Sequence, residues 1–477
     1  MNLVVIDNNL SGYDIDPRHK EDLYRIADCR LDQFTDSYNN ELWLFPKKEN
    51  RHYDKIEDKT IISIAGNKFT TGNIMGFIGC GNTELTIRSR FSHEDGHDWF
   101  MQYMLQKVFA INIFDLKHGK GAENALNITA LMFPYFLQKA LCQGVYREYV
   151  RREHNDSRVK GAINISAHIK SNYPFKNGKI AYTTREYIYD NPTTQLIRHT
   201  IEYLKTDRAS WEILYSSSDT QANIKQIINA TPSYRKGDLK KVMLANMKPK
   251  IHPYYSEYQS LQKLCIHILN RRKISYGESS DRLYGILFDG AWLWEEYLDI
   301  TMKKAGFTHP ENKIGTGKIY PFKNKNRYPR FPDFKCENAI ADAKYKYLLK
   351  DGDSSERVYE NISREDLNQM VSYLYITSAE KGIFISPTRI FVTDPETGDF
   401  YKDNDFVIKE ERLFAYRVGE LKGHGGEIFI IGVNIPQSLV SYTQFVEAMG
   451  ITENALLKSI KNIIERQPSH EIDYTIL

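Results

Sequence analysis

Three residues in FPDFKCENAIADAKYK have the types and spacing to do chemistry together: Asp333, Asp342 and Lys344. The stretch reads as a β-hairpin, because Glu337-Asn338 is the polar break between two strand-like runs. A two-residue turn pairs residues symmetrically, so Cys336 faces Ala339, Lys335 faces Ile340 and Phe334 faces Ala341. Asp333 then stands opposite Asp342, with Cα atoms about 4.5 to 5.5 Å apart. Alternation along the strand sends Lys344 to the same face as Asp342 and Ala343 to the other. Like charges so opposed need a cation or a shared proton to compensate them. Mg²⁺, which favours carboxylate and water oxygens, is the natural compensator, and it would acidify a bound water and screen a phosphate. Lys344 would hold or deprotonate that water.

Neighbouring elements extend this site. In the helix before the hairpin, Glu295 is flanked at three- and four-residue spacing by Ala291, Trp292 and Leu298, which predicts a half-buried carboxylate in need of a partner. Glu296 is the alternative beside it. In the helix after the hairpin, EDLNQMVSYLYI, Gln369 and Tyr373 share one face at i and i+4. Between them and Glu295 runs a segment with Lys313, Lys318, Lys323, Lys325, Arg327 and Arg330, no acid, and Tyr320, Phe322 and Tyr328 interleaved. Its composition suits phosphate neutralisation on DNA. A second basic stretch, with Arg235, Lys236, Lys240, Lys241, Lys248 and Lys250, adjoins no catalytic feature and reads as solvated surface.

The elements that must position these residues divide the 477-residue chain into three expected regions, an α+β multidomain organisation. Residues 1–92 read as β-rich, a small sheet or barrel, with alternating apolar residues and a turn at Gly81-Asn82. Residues 93–280 read as mainly helical, with a helical pattern to about 153 and a short β insertion near Gly161–Tyr189. Residues 281–477 read as helix, strands, helix, strand, opening on a helix over DRLYGILFDGAWLWEEYLDITMKKAGF. The step from AIADAKYKY through a helix to GIFIS predicts a parallel crossover within one mixed sheet flanked by helices.

The Pro332-Asp333, eight-residue spacer and Asp342-Ala343-Lys344 pattern resembles the PD-(D/E)xK nuclease superfamily. That resemblance implies that Asp333 and Asp342 bind the metal, with the Ala343 backbone carbonyl as a further ligand, and that Lys344 serves the nucleophilic water. It also implies an acid from the preceding helix, here Glu295, and a Gln369–Tyr373 pair that contacts DNA or supports the site. Across most of the chain, GFIGCGNTELTIRSRF, VKGAINISAHI, REYIYDNPTTQLIRHTIEYL and LWEEYL, with the nuclease pattern, are similar to the McrC subunits of McrBC-type 5-methylcytosine restriction systems. The chain departs from that family at Gly161-Ala162, where Gly-Arg is usual, and at Thr194, where asparagine is frequent. The likeness implies a Mg²⁺-dependent endonuclease, with Mn²⁺ as a substitute. It implies docking on a hexameric McrB-like AAA+ GTPase that reads and translocates modified double-stranded DNA. GTP would belong to that partner. The alternative reading is an adaptor that stimulates the motor without cutting.

Other patterns carry less. Gly315-Thr316-Gly317-Lys318 lacks the flanking residues of a P-loop, with Asn312 in place of the first glycine and Ile319 in place of Ser or Thr. His93-Glu94-Asp95-Gly96-His97 matches the HExxH zinc pattern, but Gly96 lies inside the helix it needs, and Ser92 is the expected N-cap there. GFIGCG reads as a hairpin, since no helix follows to hold a phosphate. The five cysteines form no CxxC pair, and no apolar run reaches the roughly 18 residues of a membrane span. The N-terminus lacks a basic leader, so a cytoplasmic location without membrane contact is expected. The net charge of +3 does not by itself mark a nucleic-acid binder, so that signal must be local.

Overall fold

A computed structural model describes residues 2–28, 41–45, 60–81, 83–92, 98–109, 122–175, 177–215, 217–247, 252–274, 283–310, 317–348, 362–389, 406–410, 413–437 and 439–466. The chain is α+β, with four sheets among the described residues. It divides into two compact units, one of residues 1–109 with 280–477 and one of residues 110–279.

The first unit holds a five-stranded mixed sheet in the order Asn2–Ile6, Thr83–Arg88, Ile74–Cys80, Tyr284–Asp289, Glu41–Phe45. GFIGCG is strand, and Ile74–Cys80 returns antiparallel on Thr83–Arg88 with Cys80 opposite Thr83. Gly81 takes the positive φ of 55° that this tight return requires. A three-stranded antiparallel sheet, Tyr13–Asp14, Lys68–Thr71 and Ile62–Ala65, accompanies it. Leu23, Ile26, Phe69, Ile78, Leu85 and Ile87 fill the core of this part.

The helix expected from residue 281 starts later. Tyr284–Asp289 is a strand, not the first turns of a helix, and it pairs with Ile74–Cys80 and Glu41–Phe45. The apolar run Ile286–Phe288 is fully buried, and a short run of that kind fits a buried strand as well as a helix. The helix begins at Gly290, where Asp289 as N-cap accepts from the N–H groups of Ala291 and Trp292, and it ends at Lys304. A side chain at Gly290 would put its Cβ 2.7 Å from the Tyr345 ring.

The same unit holds a six-stranded sheet in the order Phe334–Lys335, Ala339–Ala343, Lys381–Thr388, Glu427–Asn434, Leu413–Glu420, Phe406–Glu410. Ala339–Ala343, Lys381–Thr388 and Glu427–Asn434 run parallel. The helix Arg364–Thr377 lies between the first two in sequence, as the strand-helix-strand pattern predicts. Met370, Tyr373 and Leu374 from this helix pack with Ile340, Phe384 and Ile430 from the sheet. The last helix, Tyr442–Glu465, is longer than NALLKSIKNIIER implies, because Ser441 caps it well upstream.

In the second unit the helices Ala122–Cys142, Pro192–Leu204 and Glu257–Ile274 carry most of the buried residues. Asn191 and Thr194 form a capping box at the start of Pro192–Leu204, so the threonine at this position is used locally. The helical pattern does not run on to residue 153: Glu148–Asp156 is a strand, paired antiparallel along nine positions with Ile180–Ile188. Tyr149 and Val150 favour that pleated environment. No described helix is long and apolar enough to cross a membrane.

Candidate active site at the carboxylate hairpin

The hairpin has the register that symmetric pairing dictates. Phe334 pairs with Ala341 and Lys335 with Ile340, and the Cys336 N–H donates to the Ala339 carbonyl at 2.9 Å. Asp333, one residue beyond the paired segment, turns Oδ2 onto the backbone N–H of Ala343 at 2.8 Å. Asp342 is only 2% exposed. Its Oδ2 lies 2.5 Å from Lys344 Nζ, and the two form an ion pair.

These acids are not at ease together. Burial first, then the charges of Asp342 and Glu295, push the Asp333 carboxyl well above the usual range, against the pull of Lys344 and the Ala343 N–H. Burial would lower the Lys344 ammonium, but Asp342, Asp366 and Asp333 outweigh it and hold its pKa above the ordinary lysine value. The surrounding acids thus favour the ammonium form of Lys344 in this arrangement.

The helix after the hairpin locks this corner. Lys344 Nζ donates to Gln369 Oε1 at 3.1 Å, Gln369 Nε2 donates to the Tyr373 hydroxyl at 2.7 Å, and Tyr373 donates to the Phe331 carbonyl at 2.9 Å. Tyr373 is buried. The chain Lys344–Gln369–Tyr373–Phe331 thus ties the lysine to the segment that carries Asp333.

Two groups escaped the sequence reading. Asp366 pairs with Lys344 at 3.2 Å and also with Lys346. Burial opposes its charge, yet Lys346, Ser363 and Lys344 bring its pKa down to about 2. The signal was present in Ser363-Arg-Glu-Asp366, a helix start with an acid one turn before Gln369. His309 makes a 2.8 Å hydrogen bond through Nδ1 with the carbonyl of Asp333, and its Nε2 lies 3.6 Å from Glu295 and 4.0 Å from Glu296. Burial opposes its charge, but Glu296, the Asp333 carbonyl and Glu295 raise its pKa to about 9. A lone histidine 24 residues before its partner gave no pattern to find. The two glutamates differ: Glu296 accepts from the Trp292 indole at 2.9 Å, whereas Glu295 acts on the Asp333 carboxyl.

The basic segment forms a narrow arm. Ile319 and Arg330 exchange backbone hydrogen bonds at 3.0 and 2.9 Å, and Phe322 bridges to Lys325. Lys323, Lys325, Arg327 and Arg330 are all exposed, with Phe322 and Tyr328 exposed among them. Because Ile319 enters a β bridge, no helix follows Lys318 to make a phosphate loop; Gly315 and Thr316 lie outside the described residues. His93–His97 also lies outside them, as do Lys248, Lys250 and Lys313. The next helix starts at Trp99 with Asp98 as its N-cap, in place of the expected Ser92.

Among the described residues, no three His, Cys, Asp or Glu side chains converge as a ready-made metal site. Two carboxylates do lie close enough to act on each other, Asp342 paired with Lys344 and Asp333 resisting its own charge. That set fits Mg²⁺, which commonly takes one or two carboxylates and fills the rest of its shell with water.

A family model described as McrBC 5-methylcytosine restriction system component matches residues 69–387. Comparison with curated proteins gives no match. Among solved structures, the chain is similar to a half-complex from the tetradecameric assembly of Thermococcus gammatolerans McrB AAA+ hexamers with bound McrC. That match has 14% identity and a TM-score of 0.45, and covers 94% of this chain and 100% of that one. A second match, to a chain of the Thermococcus gammatolerans McrBC complex, has 14% identity and a TM-score of 0.29, covering 64% and 88%.

Proposed function

Because this chain belongs to the family of McrBC 5-methylcytosine restriction system components, we propose that it is the McrC-type, DNA-cutting subunit of such a system. Its last region is read as a PD-(D/E)xK endonuclease that hydrolyses phosphodiesters with Mg²⁺. The observation that carries this reading is the buried Asp342 carboxylate beside Asp333, with Lys344 held against it by Gln369.

Asp333 and Asp342 would hold the cation, with the Ala343 carbonyl as a further donor and Glu295 as an acid that acts on Asp333 from the preceding helix. Glu295 is preferred to Glu296 because its charge helps to raise the Asp333 pKa, while Glu296 accepts from the Trp292 indole. Bound there, a divalent cation supplies positive charge for the scissile phosphate and acidifies a water. Lys344 stays protonated and orients that water or a phosphate oxygen, while Gln369 and Tyr373 keep the lysine and the Asp333 segment in register. Lys323, Lys325, Arg327 and Arg330 on the exposed arm neutralise phosphates of double-stranded DNA.

The proposed partner is a McrB-type AAA+ hexamer, which would hydrolyse GTP and be stimulated by this chain. Asp342→Asn or Lys344→Ala is expected to abolish Mg²⁺-dependent cleavage of 5-methylcytosine-bearing plasmid DNA by the reconstituted complex and to leave GTPase stimulation nearly intact. Unchanged cleavage in either variant would sink the catalytic assignment. A wild-type complex that stimulates GTP hydrolysis and never cuts would favour the adaptor.

A further inference from the structure

We propose that Asp366 is a positioning residue of this site, fixing the Lys344 ammonium and sharing it with Lys346. The inference rests on the nuclease reading and adds a group to it that the Asp-x-Lys pattern does not contain.

An ammonium has three donors, and Lys344 Nζ has three oxygen neighbours: Asp342 Oδ2 at 2.5 Å, Gln369 Oε1 at 3.1 Å and Asp366 Oδ1 at 3.2 Å. If Asp342 serves a cation, Asp366 and Gln369 are the partners that remain to hold the lysine. Both come from one helix, and with Tyr373 they stand at i, i+3 and i+7, on a single face. One face of one helix therefore holds both the lysine and, through the Phe331 carbonyl, the entry to the hairpin.

Asp366 is itself held. It is 9% exposed, and the Ser363 hydroxyl donates to its Oδ2 at 2.7 Å. The same Oδ2 pairs with Lys346, whose side chain is 38% exposed. Lys346 follows Lys344 by two residues, so the carboxylate bridges two cations that flank Tyr345. Removing its charge leaves both ammonium groups without that bridge and frees Lys344 to swing.

Asp366→Asn keeps the shape and the oxygen that Ser363 addresses while removing the charge. In the reconstituted complex with Mg²⁺, GTP and 5-methylcytosine-bearing plasmid, its kcat is expected to fall about 10- to 100-fold with the KM for DNA unchanged. Asp366→Glu should restore most of the rate. Ser363→Ala removes the helix cap and keeps the carboxylate, so it should lower the melting temperature and cut at close to the wild-type rate. Should the asparagine variant not fold, Asp366→Ser reads the same loss. Wild-type kcat for the neutral variants beside a dead Asp342→Asn control overturns this inference and leaves the nuclease reading standing. Equal losses in Ser363→Ala and Asp366→Asn would reduce Asp366 to a helix cap. An active Asp342→Asn control removes the nuclease reading and this inference with it.

Discussion

Two clusters of charge are built on the same six-stranded sheet, and they are balanced in opposite senses. At one end of adjacent parallel strands, Lys381 stands directly across from Glu427 and pairs with it, and Arg417 donates to Glu427 at 2.7 Å. One buried acid there has two cations. On the neighbouring strand, Asp342 sits with Asp333, Asp366 and Glu295 around Lys344, Lys346 and His309. Burial would raise the Glu427 pKa, but Lys381 and Arg417 outweigh it and hold it below the usual glutamate value. Asp333 is pushed the other way. The first cluster ties strands together, whereas in the second Asp333 resists its charge beside Asp342 and Glu295, a repulsion that a divalent cation would answer. What differs is the acid's own state: Glu427 is held in its charged form by its neighbours, and Asp333 is pushed away from it.

That contrast can be broken in four ways, taken from the largest effect down. Asp342→Asn should lower DNA cleavage by about 10⁴-fold or more, read as plasmid linearisation by the complex, with little loss of fold. Glu427→Gln should do the reverse. It leaves Lys381, 1% exposed, beside a neutral group, and is expected to cost about 3 to 5 kcal/mol of stability in chemical denaturation. A small stability loss there would erase the proposed distinction.

Asp333→Asn tests the opposite pole. Without divalent cations it should raise stability by about 1 kcal/mol while ending cleavage, since it removes a charge that the fold resists. The signs of the pH dependence differ in the same manner. Asp333 has a folded pKa above its ordinary 3.8, so charging it costs stability, and that cost disappears as the pH falls toward 3.8. The gain in melting temperature for Asp333→Asn should therefore narrow on acidification. Glu427 has a folded pKa below its ordinary 4.5, so its contribution is full above pH 4.5 and is lost as the pH drops through the folded value. The smallest effect belongs to the exposed arm. Each of Lys323→Ala, Lys325→Ala and Arg327→Ala should flatten the log–log salt dependence of duplex binding by about 0.9, and an unchanged slope would remove that residue from the DNA contact.

The hairpin was legible because its information is local. A two-residue turn and an alternation of period two fix which residues meet, and the observed pairs Phe334–Ala341 and Lys335–Ile340 follow from that rule. Gln369 and Tyr373 were legible through helical spacing, and they do bond to each other. The parallel crossover from Ala339–Ala343 to Lys381–Thr388 was equally readable. Tyr284–Asp289 was not, since an apolar run of that length is compatible with either period, and its partners lie some two hundred residues away.

By itself, then, the sequence determined that Asp333, Asp342 and Lys344 share a hairpin, because pairing and pleat are dictated within a dozen residues. Tertiary structure alone decided what surrounds them. It brought His309 to the Asp333 carbonyl, put the Glu295 charge within reach of the Asp333 carboxyl, and set Asp366 between Lys344 and Lys346. It also packed Asp342, Asp366 and Asp333 around Lys344, and their charges outweigh burial and hold its pKa above the ordinary lysine value.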